Sequence, residues 1–146
     1  VKVPGLDGSG KMGKSEGNCI YLIDEEKVLR KKVMRAVTDE GPQTPNSPQS
    51  EPIANLFTLL ELTSEPQVVQ QFRDAYADCS IRYGDLKKQL AEDILKVTTP
   101  IRERINDILA DEDYMRKVLA RGADRAREQA SKTLAEVRHI MGIRKI

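Results

Sequence analysis

The chain has 146 residues, about the length of one domain, and its 24 Lys and Arg residues nearly balance its 23 Asp and Glu residues, giving a formal net charge of +1. That balance excludes a strong overall positive field, so a nucleic acid would have to bind a local basic surface. With two distant cysteines, one histidine and no apolar run near the ~20 residues of a membrane span, we expect a cytoplasmic protein with no metal site and no disulfide framework.

The chain begins with a glycine-rich stretch that allows two interpretations. Residues 8–18 read GSGKMGKSEGN, and the part from Gly8 to Ser15 fits the P-loop pattern G-x-x-x-x-G-K-[ST]. The same stretch contains Lys11-Met12-Gly13-Lys14-Ser15, a lysine loop of a second kind that also binds ATP phosphates. The apolar residues Ile20–Ile23 that follow predict a short buried strand.

A helix is predicted next, over residues 24–38, with Asp24 as its N-cap. Residues 39–52 hold four of the seven prolines and predict a surface loop.

The remainder of the chain is predicted to be helical. Residues 52–63 form an apolar helix, and Ser64 is expected to cap the next helix over residues 65–79. Apolar residues then recur with a mean step near 3.6 and predict a helix over residues 83–110. In the last segment, Gly122 either ends a short helix or lies inside a continuous one.

The surroundings of the loop favour the lysine-loop interpretation over the P-loop. A P-loop is followed directly by a helix, because the helix N-terminus holds the phosphates. Here Glu16, Gly17 and Asn18 follow instead. Mobile ammonium groups such as those of Lys11 and Lys14 stabilise negative charge on the β- and γ-phosphates when the α-phosphate is attacked. The Ser15 hydroxyl and the amides of residues 13 and 14 are expected to add donors.

Several stretches resemble one family. PGLDGSGKMGKSEGN resembles the Lys-Met-Ser-Lys-Ser loop of class I aminoacyl-tRNA synthetases. IANLFTLLELT, YGDLKKQLAEDI and ARGADRAREQASKTLAEVRHIMG are similar to tryptophanyl-tRNA synthetases, and the resemblance covers nearly all of residues 3–142. It implies a mainly α fold in a C-terminal fragment. Residues 1–23 would be the end of a Rossmann-type catalytic domain, with a short strand, and residues 24–146 a helical anticodon-binding-type domain.

The resemblance also implies a reaction and its residues. The full-length family enzyme is a homodimer that activates L-tryptophan with ATP, whose magnesium the nucleotide carries, and transfers it to the tRNA for tryptophan. The tryptophan pocket would lie outside this chain, so the fragment alone is expected to be inactive. Lys14 and Lys11 match the family's catalytic lysines, and Gly13 stands where the family usually has serine. The implied ATP-binding residues are Val3, Lys11, Met12, Gly13, Lys14 and Ser15.

Basic residues of the helical part are candidate contacts to tRNA phosphates. They are Arg30, Lys31, Lys32, Arg82, Lys87, Lys88, Arg121, Arg125 and Arg127. Three other classes stay open from the sequence: a stand-alone helical RNA-binding module, a helical interaction protein without a nucleotide role, and a P-loop nucleotide-binding protein.

Overall fold

The computed structural model describes residues 2–143, and all regular structure in that range is helical. Five helices follow one another: α1 (Glu26–Met34), α2 (Glu51–Thr63), α3 (Pro66–Ala77), α4 (Tyr83–Ala110) and α5 (Glu112–Ile140). Contacts divide the chain into two compact units, Val1–Glu103 and Arg104–Ile146. This division does not test the domain boundary predicted near residue 23, which stays a prediction.

The core of the first unit is aliphatic and lies among α1, α2 and α4. α2 is apolar on most of its surface, as its sequence predicts, and five of its residues are buried. Phe57 of α2 meets Tyr76 of α3 edge to face, with ring centroids 6.0 Å apart. The largest fully buried side chains are Leu29, Val33, Ile53, Leu56, Leu60, Leu86 and Leu90.

The predicted strand at Ile20–Ile23 is wrong. Tyr21, Leu22 and Ile23 are exposed and form a turn that the amide of Asp24 closes on the carbonyl of Tyr21 at 3.0 Å. A strand needs a neighbour for its backbone groups, and residues 2–143 contain no other strand to supply one. The assignment of residues 1–23 to the end of a Rossmann-type domain stays a prediction.

The first helix is shorter than the predicted range of 24–38. Asp24 does not cap it, because its carboxylate accepts from the amide of Tyr21 at 2.9 Å and pairs with Lys32 at 2.5 Å. The N-cap is Glu25. The helix ends early because the amide of Val37 donates to the carbonyl of Leu6 at 2.9 Å, which draws the chain towards the N-terminal segment.

The proline-rich segment contains no helix from residue 39 to Ser50, and α2 begins at Glu51, so Glu51 and Pro52 of the predicted loop belong to the helix. The ends of the loop are tied together by Asp39, whose carboxylate accepts from the Ser50 hydroxyl and, at 2.6 Å, from the Tyr83 hydroxyl. The Asn46 amide donates to the carbonyl of Ala77 at 2.9 Å, so the middle of the loop is attached to the end of α3.

Residue 64 behaves differently from its predicted role as an N-cap. Ser64 ends α2, and Glu65 is the N-cap of α3. The Ser64 hydroxyl donates instead to the buried carboxylate of Asp93 on α4, at 2.7 Å.

The second unit contains the end of α4 and the whole of α5. Asp111 caps α5 by accepting from the amide of Tyr114 at 2.8 Å. The helix continues through Gly122, so the continuous alternative is the correct one. No residue of α5 is buried. Among the described residues, no helix is long and apolar enough to cross a membrane.

Candidate nucleotide-binding loop

The lysine loop folds back on the segment that precedes it. The amide of Met12 donates to the carbonyl of Val3 at 2.8 Å, and the amide of Gly5 donates to the carbonyl of Ser9 at 2.8 Å. The amide of Leu6 closes the far end by donating to the carbonyl of Asn18 at 3.1 Å. Both ends of the loop are thus attached to the backbone of residues 3–6.

A polar cluster fills the inside of the loop. The carboxylate of Asp7 accepts from the hydroxyl of Ser9 at 2.6 Å, from its amide at 3.0 Å, and from Nδ2 of Asn18 at 3.0 Å. The hydrogen bonds from Ser9, with that from Asn18, hold the pKa of Asp7 below its usual range. The carboxylate is therefore ionised at neutral pH.

Helix α2 holds the first half of the loop. Nδ2 of Asn55 donates to the carbonyl of Gly8 at 2.9 Å and to the carbonyl of Ser9 at 3.0 Å. Gly8 has a φ of +88°, and a Cβ there would lie 3.0 Å from the Pro52 ring. Glycine at residue 8 therefore has a local structural reason in this loop, independent of its match to the P-loop pattern.

The two candidate catalytic lysines are exposed. Among the described residues, neither Lys11 nor Lys14 forms an ion pair. Lys11 lines an open depression of about 520 Å³, and Lys14 lies just beyond it in the turn closed by the Glu16 amide on the Gly13 carbonyl. Their ammonium groups are free to meet an anion.

The other predicted nucleotide-binding residues are less uniform. Met12 is half-buried and packs against the core. The hydroxyl of Ser15 donates to Glu16 at 3.3 Å. The Gly13 amide, expected as a donor to phosphate, donates within the loop to Oδ1 of Asn18 at 2.8 Å. Val3 is exposed, and its carbonyl is used by Met12.

Sequence reasoning missed residues that shape this site. Lys2 lines the depression together with Lys11 and supplies a further positive charge. Asp7, Ser9 and Asn18 form the internal cluster, although their spacing matches no motif. Side chains of these types in a glycine-rich loop that lacks regular structure would have been the signal, because buried backbone groups must find partners somewhere.

Some of the candidate tRNA-contacting residues are committed to contacts within the first unit. Lys87 is only 9% exposed, and its ammonium group donates to the carbonyl of Ala36 at 2.7 Å. Burial lowers the pKa of Lys87. Lys87 is thus a structural residue, and its assignment as a phosphate contact is wrong.

Four further candidates form ion pairs. In two of these pairs, Lys88 with Asp85 at 3.5 Å and Arg127 with Asp124 at 3.1 Å, all side chains are exposed. Arg30 bonds to Glu92 through both of its terminal nitrogens, and Lys32 pairs with Asp24. The exposed candidates are Lys31, Arg82, Lys88, Arg121, Arg125 and Arg127.

The described residues hold no group of three or more His, Cys, Asp or Glu side chains suited to a metal ion.

Comparisons with known proteins give the same family as the loop. A family model described as tRNA synthetases class I (W and Y) matches residues 2–99. The chain is 63% identical over 144 residues to the tryptophan–tRNA ligase of Porphyromonas gingivalis, covering 99% of the chain and 44% of that protein. It is 38% identical over 145 residues to the tryptophan–tRNA ligase of Rhodopirellula baltica, with the same two coverages, 99% and 44%.

A solved structure has a similar fold. The tryptophanyl-tRNA synthetase of Campylobacter jejuni, crystallised with ADP and tryptophan, superposes with a TM-score of 0.79 at 26% identity, over 97% of this chain and 44% of that one. The chain spans less than half the length of these relatives. The resemblance to tryptophanyl-tRNA synthetases is confirmed, and a P-loop protein is not favoured, because the first helix after the loop begins only at Glu26. The chain belongs to the class I tRNA synthetase family that comprises the W and Y enzymes.

Proposed function

We propose that the full-length protein containing this chain is a tryptophan–tRNA ligase, which activates tryptophan with ATP and transfers it to the tRNA for tryptophan. The observation that carries the proposal is the lysine loop, with its backbone held and its two cations exposed, in a chain whose similar curated relatives are tryptophan–tRNA ligases.

The lysine loop suits the first half of this reaction. A carboxylate oxygen of tryptophan attacks the α-phosphorus of ATP, the bond from that phosphorus to the bridging oxygen breaks, and pyrophosphate leaves. Negative charge grows on the β- and γ-phosphate oxygens as that bond breaks. Lys11 and Lys14 are proposed as the catalytic residues that donate to those oxygens, which lowers the energy of the transition state.

The remaining contacts to the nucleotide are assigned more broadly. The proposed set is Val3, Lys11, Met12, Gly13, Lys14 and Ser15. Magnesium enters with ATP as part of the substrate, and the tryptophan pocket is proposed to lie outside these 146 residues. The chain alone is therefore expected to be inactive.

Two exposed arginines of α5, Arg121 and Arg125, are proposed contacts to tRNA phosphates. Each phosphate contact releases counterions, so tRNA affinity should fall steeply with salt. Arg121→Ala and Arg125→Ala should each reduce the slope of log affinity against log salt.

The full-length enzyme is further proposed to be cytoplasmic and to form a homodimer. Light scattering after size exclusion measures its molar mass and so tests the dimer.

The test of the proposed function compares the two amino acids of the family. ATP–pyrophosphate exchange is measured with the full-length protein, in the presence of tryptophan or of tyrosine. We expect exchange with tryptophan and none with tyrosine. Exchange driven by tyrosine would place the protein in the other branch of the family. Binding of tRNA without exchange would favour a helical RNA-binding module instead.

A further inference from the structure

Asn18 is a buried polar residue at the centre of the lysine loop, with only 5% of its surface exposed. The two protons of its Nδ2 are shared among three acceptors, the Asp7 carboxylate at 3.0 Å, the Ser9 hydroxyl at 2.9 Å and the carbonyl of Lys11 at 3.1 Å. Its Oδ1 accepts from the amide of Gly13 at 2.8 Å. Both polar atoms of the side chain are therefore satisfied by the loop itself.

The chemistry of the neighbours fixes which way the Asn18 amide faces. An ionised carboxylate only accepts hydrogen bonds, so the NH₂ group of Asn18 must face Asp7. A backbone N–H only donates, so the carbonyl oxygen must face Gly13. Flipping the amide would leave Gly13 and Asp7 each facing a group of the same kind, at a large energetic penalty in a buried position.

This side chain holds the backbone on both sides of Met12. The Lys11 carbonyl and the Gly13 amide are the two groups that flank this residue, and the Met12 amide is held by Val3. The backbone from residue 11 to residue 13 is therefore fixed at three consecutive positions. The lysine side chains that leave it on either side remain exposed.

We infer that Asn18 is a positioning residue for the proposed adenylation: it fixes the backbone between Lys11 and Lys14, so that both ammonium groups meet the leaving pyrophosphate without first ordering the loop. The inference rests on the proposed function. Groups that are already placed before the reaction lose less free energy in ordering at the transition state. Asn18 itself does not need to touch ATP for this role.

The test is tryptophan-dependent ATP–pyrophosphate exchange by the full-length protein carrying Asn18→Ala. We expect kcat to fall by about 10- to 100-fold, because small misplacements of catalytic groups have effects of that size. The KM for tryptophan should change by less than about 3-fold, since an interaction realised in the transition state acts on kcat. Tryptophan binding and the circular dichroism spectrum report whether the variant has folded.

A double-mutant cycle shows whether Asn18 acts through the lysines. Asn18→Ala causes a fold-loss in kcat that can be measured in the wild type and in a Lys11→Ala protein. The loss in the Lys11→Ala protein should be smaller by a factor of at least about 5, since the effects of coupled residues are not additive. Asn106→Ala, at an exposed residue of α4, is the matched control and should leave kcat unchanged.

Three results would overturn the inference about Asn18 while the wild type remains active. They are an unchanged kcat in a folded Asn18→Ala protein, a loss confined to the KM for tryptophan, and additive effects of Asn18→Ala and Lys11→Ala. Absence of exchange in the wild-type protein would instead refute the proposed function, so the two failures are distinguishable.

Discussion

The backbone of Gly5 lies directly against the side chain of Asn18. A Cβ at Gly5 would sit 2.5 Å from Nδ2 of Asn18 and 2.5 Å from the carboxylate of Asp7. Both are closer than any ordinary carbon contact, and both atoms belong to the cluster that holds the lysine loop. The loop therefore depends on the absence of a side chain at residue 5, although that residue precedes the Lys11–Ser15 motif in the sequence.

Gly5→Ala should disrupt the loop. The new methyl group must displace Asn18 or Asp7, which breaks hydrogen bonds that fix the loop backbone. We expect kcat of pyrophosphate exchange in the full-length protein to fall by about 10-fold or more, as for other displaced catalytic groups. Gly84→Ala is the matched control, because a Cβ at that helical position of α4 meets nothing within 4 Å. Equal activity of the two variants would contradict the close packing at Gly5.

Gly13→Ser completes the Lys-Met-Ser-Lys-Ser pattern that this loop resembles, and it should be tolerated. A Cβ at Gly13 would lie 2.8 Å from Cγ of Glu16, which is an exposed and flexible side chain that can rotate away. Exchange activity should stay within about 5-fold of the wild type, since displacing a side chain from its rotamer carries a penalty of about 1 kcal/mol. Adding Glu16→Ala should remove any remaining difference. A collapse of activity that Glu16→Ala does not relieve would show that Gly13 is required for its backbone.

Asp93 should make the stability of the first unit depend on acid pH. Burial alone would raise the pKa of this carboxyl, but hydrogen bonds from Gln89, Lys96 and Ser64 outweigh it and hold the pKa below its ordinary value. The unfolded chain thus takes up the proton first as pH falls. The stabilisation is complete above the unfolded pKa, near 4, and is lost as pH drops through the folded pKa.

Asp93→Asn should therefore lower the free energy of unfolding by about 1–3 kcal/mol at pH 7, the range for hydrogen bonds to a charged group. The difference from the wild type should shrink as pH falls below about 4. Urea unfolding between pH 2.5 and pH 7 measures both. Glu40→Gln, at an exposed acid, should show neither effect. A penalty that is constant with pH would contradict the role assigned to the carboxylate.

Gly122→Ala should stabilise α5. Gly122 is exposed, lies inside the helix, and has open space where a Cβ would go. Alanine removes conformational freedom from the unfolded chain, which is worth about 0.5–1 kcal/mol in a helix interior. Slower amide hydrogen exchange in α5 of the Gly122→Ala protein would show this stabilisation. The reverse change at the exposed Ala126 should accelerate exchange by a similar factor, and faster exchange in Gly122→Ala would contradict the open space.

The helices could be predicted from the sequence because their signals are local. The apolar stripe from Leu86 to Ile108 and the apolar run of α2 repeat at helical spacing, and both helices form where expected. The errors occur at ends and short segments. Asp24 and Ser64 have the right chemistry for N-caps, but Lys32 and Asp93 recruit them for contacts that only the folded chain brings together.

The site was predictable only in its charged residues. Lys11 and Lys14 stand out because their spacing repeats a motif, whereas Asn18 and Asn55 act through side-chain hydrogen bonds to the backbone of the loop. Such bonds depend on where a side chain lies in space, and no periodicity marks them. Burial of Lys87 is equally invisible in the sequence, since it follows from the packing of α4 beside Ala36.

The most direct test of the account is tryptophan-dependent ATP–pyrophosphate exchange by the full-length protein with Lys11→Ala or Lys14→Ala. Each change should lower kcat by about 10²-fold or more, as the loss of a donor to transition-state charge does, with little change in the KM for tryptophan. Lys27→Ala, at an exposed lysine of α1, serves as the control and should leave the rate unchanged. Exchange at the wild-type rate in both loop variants would contradict the assignment of this loop to the leaving pyrophosphate.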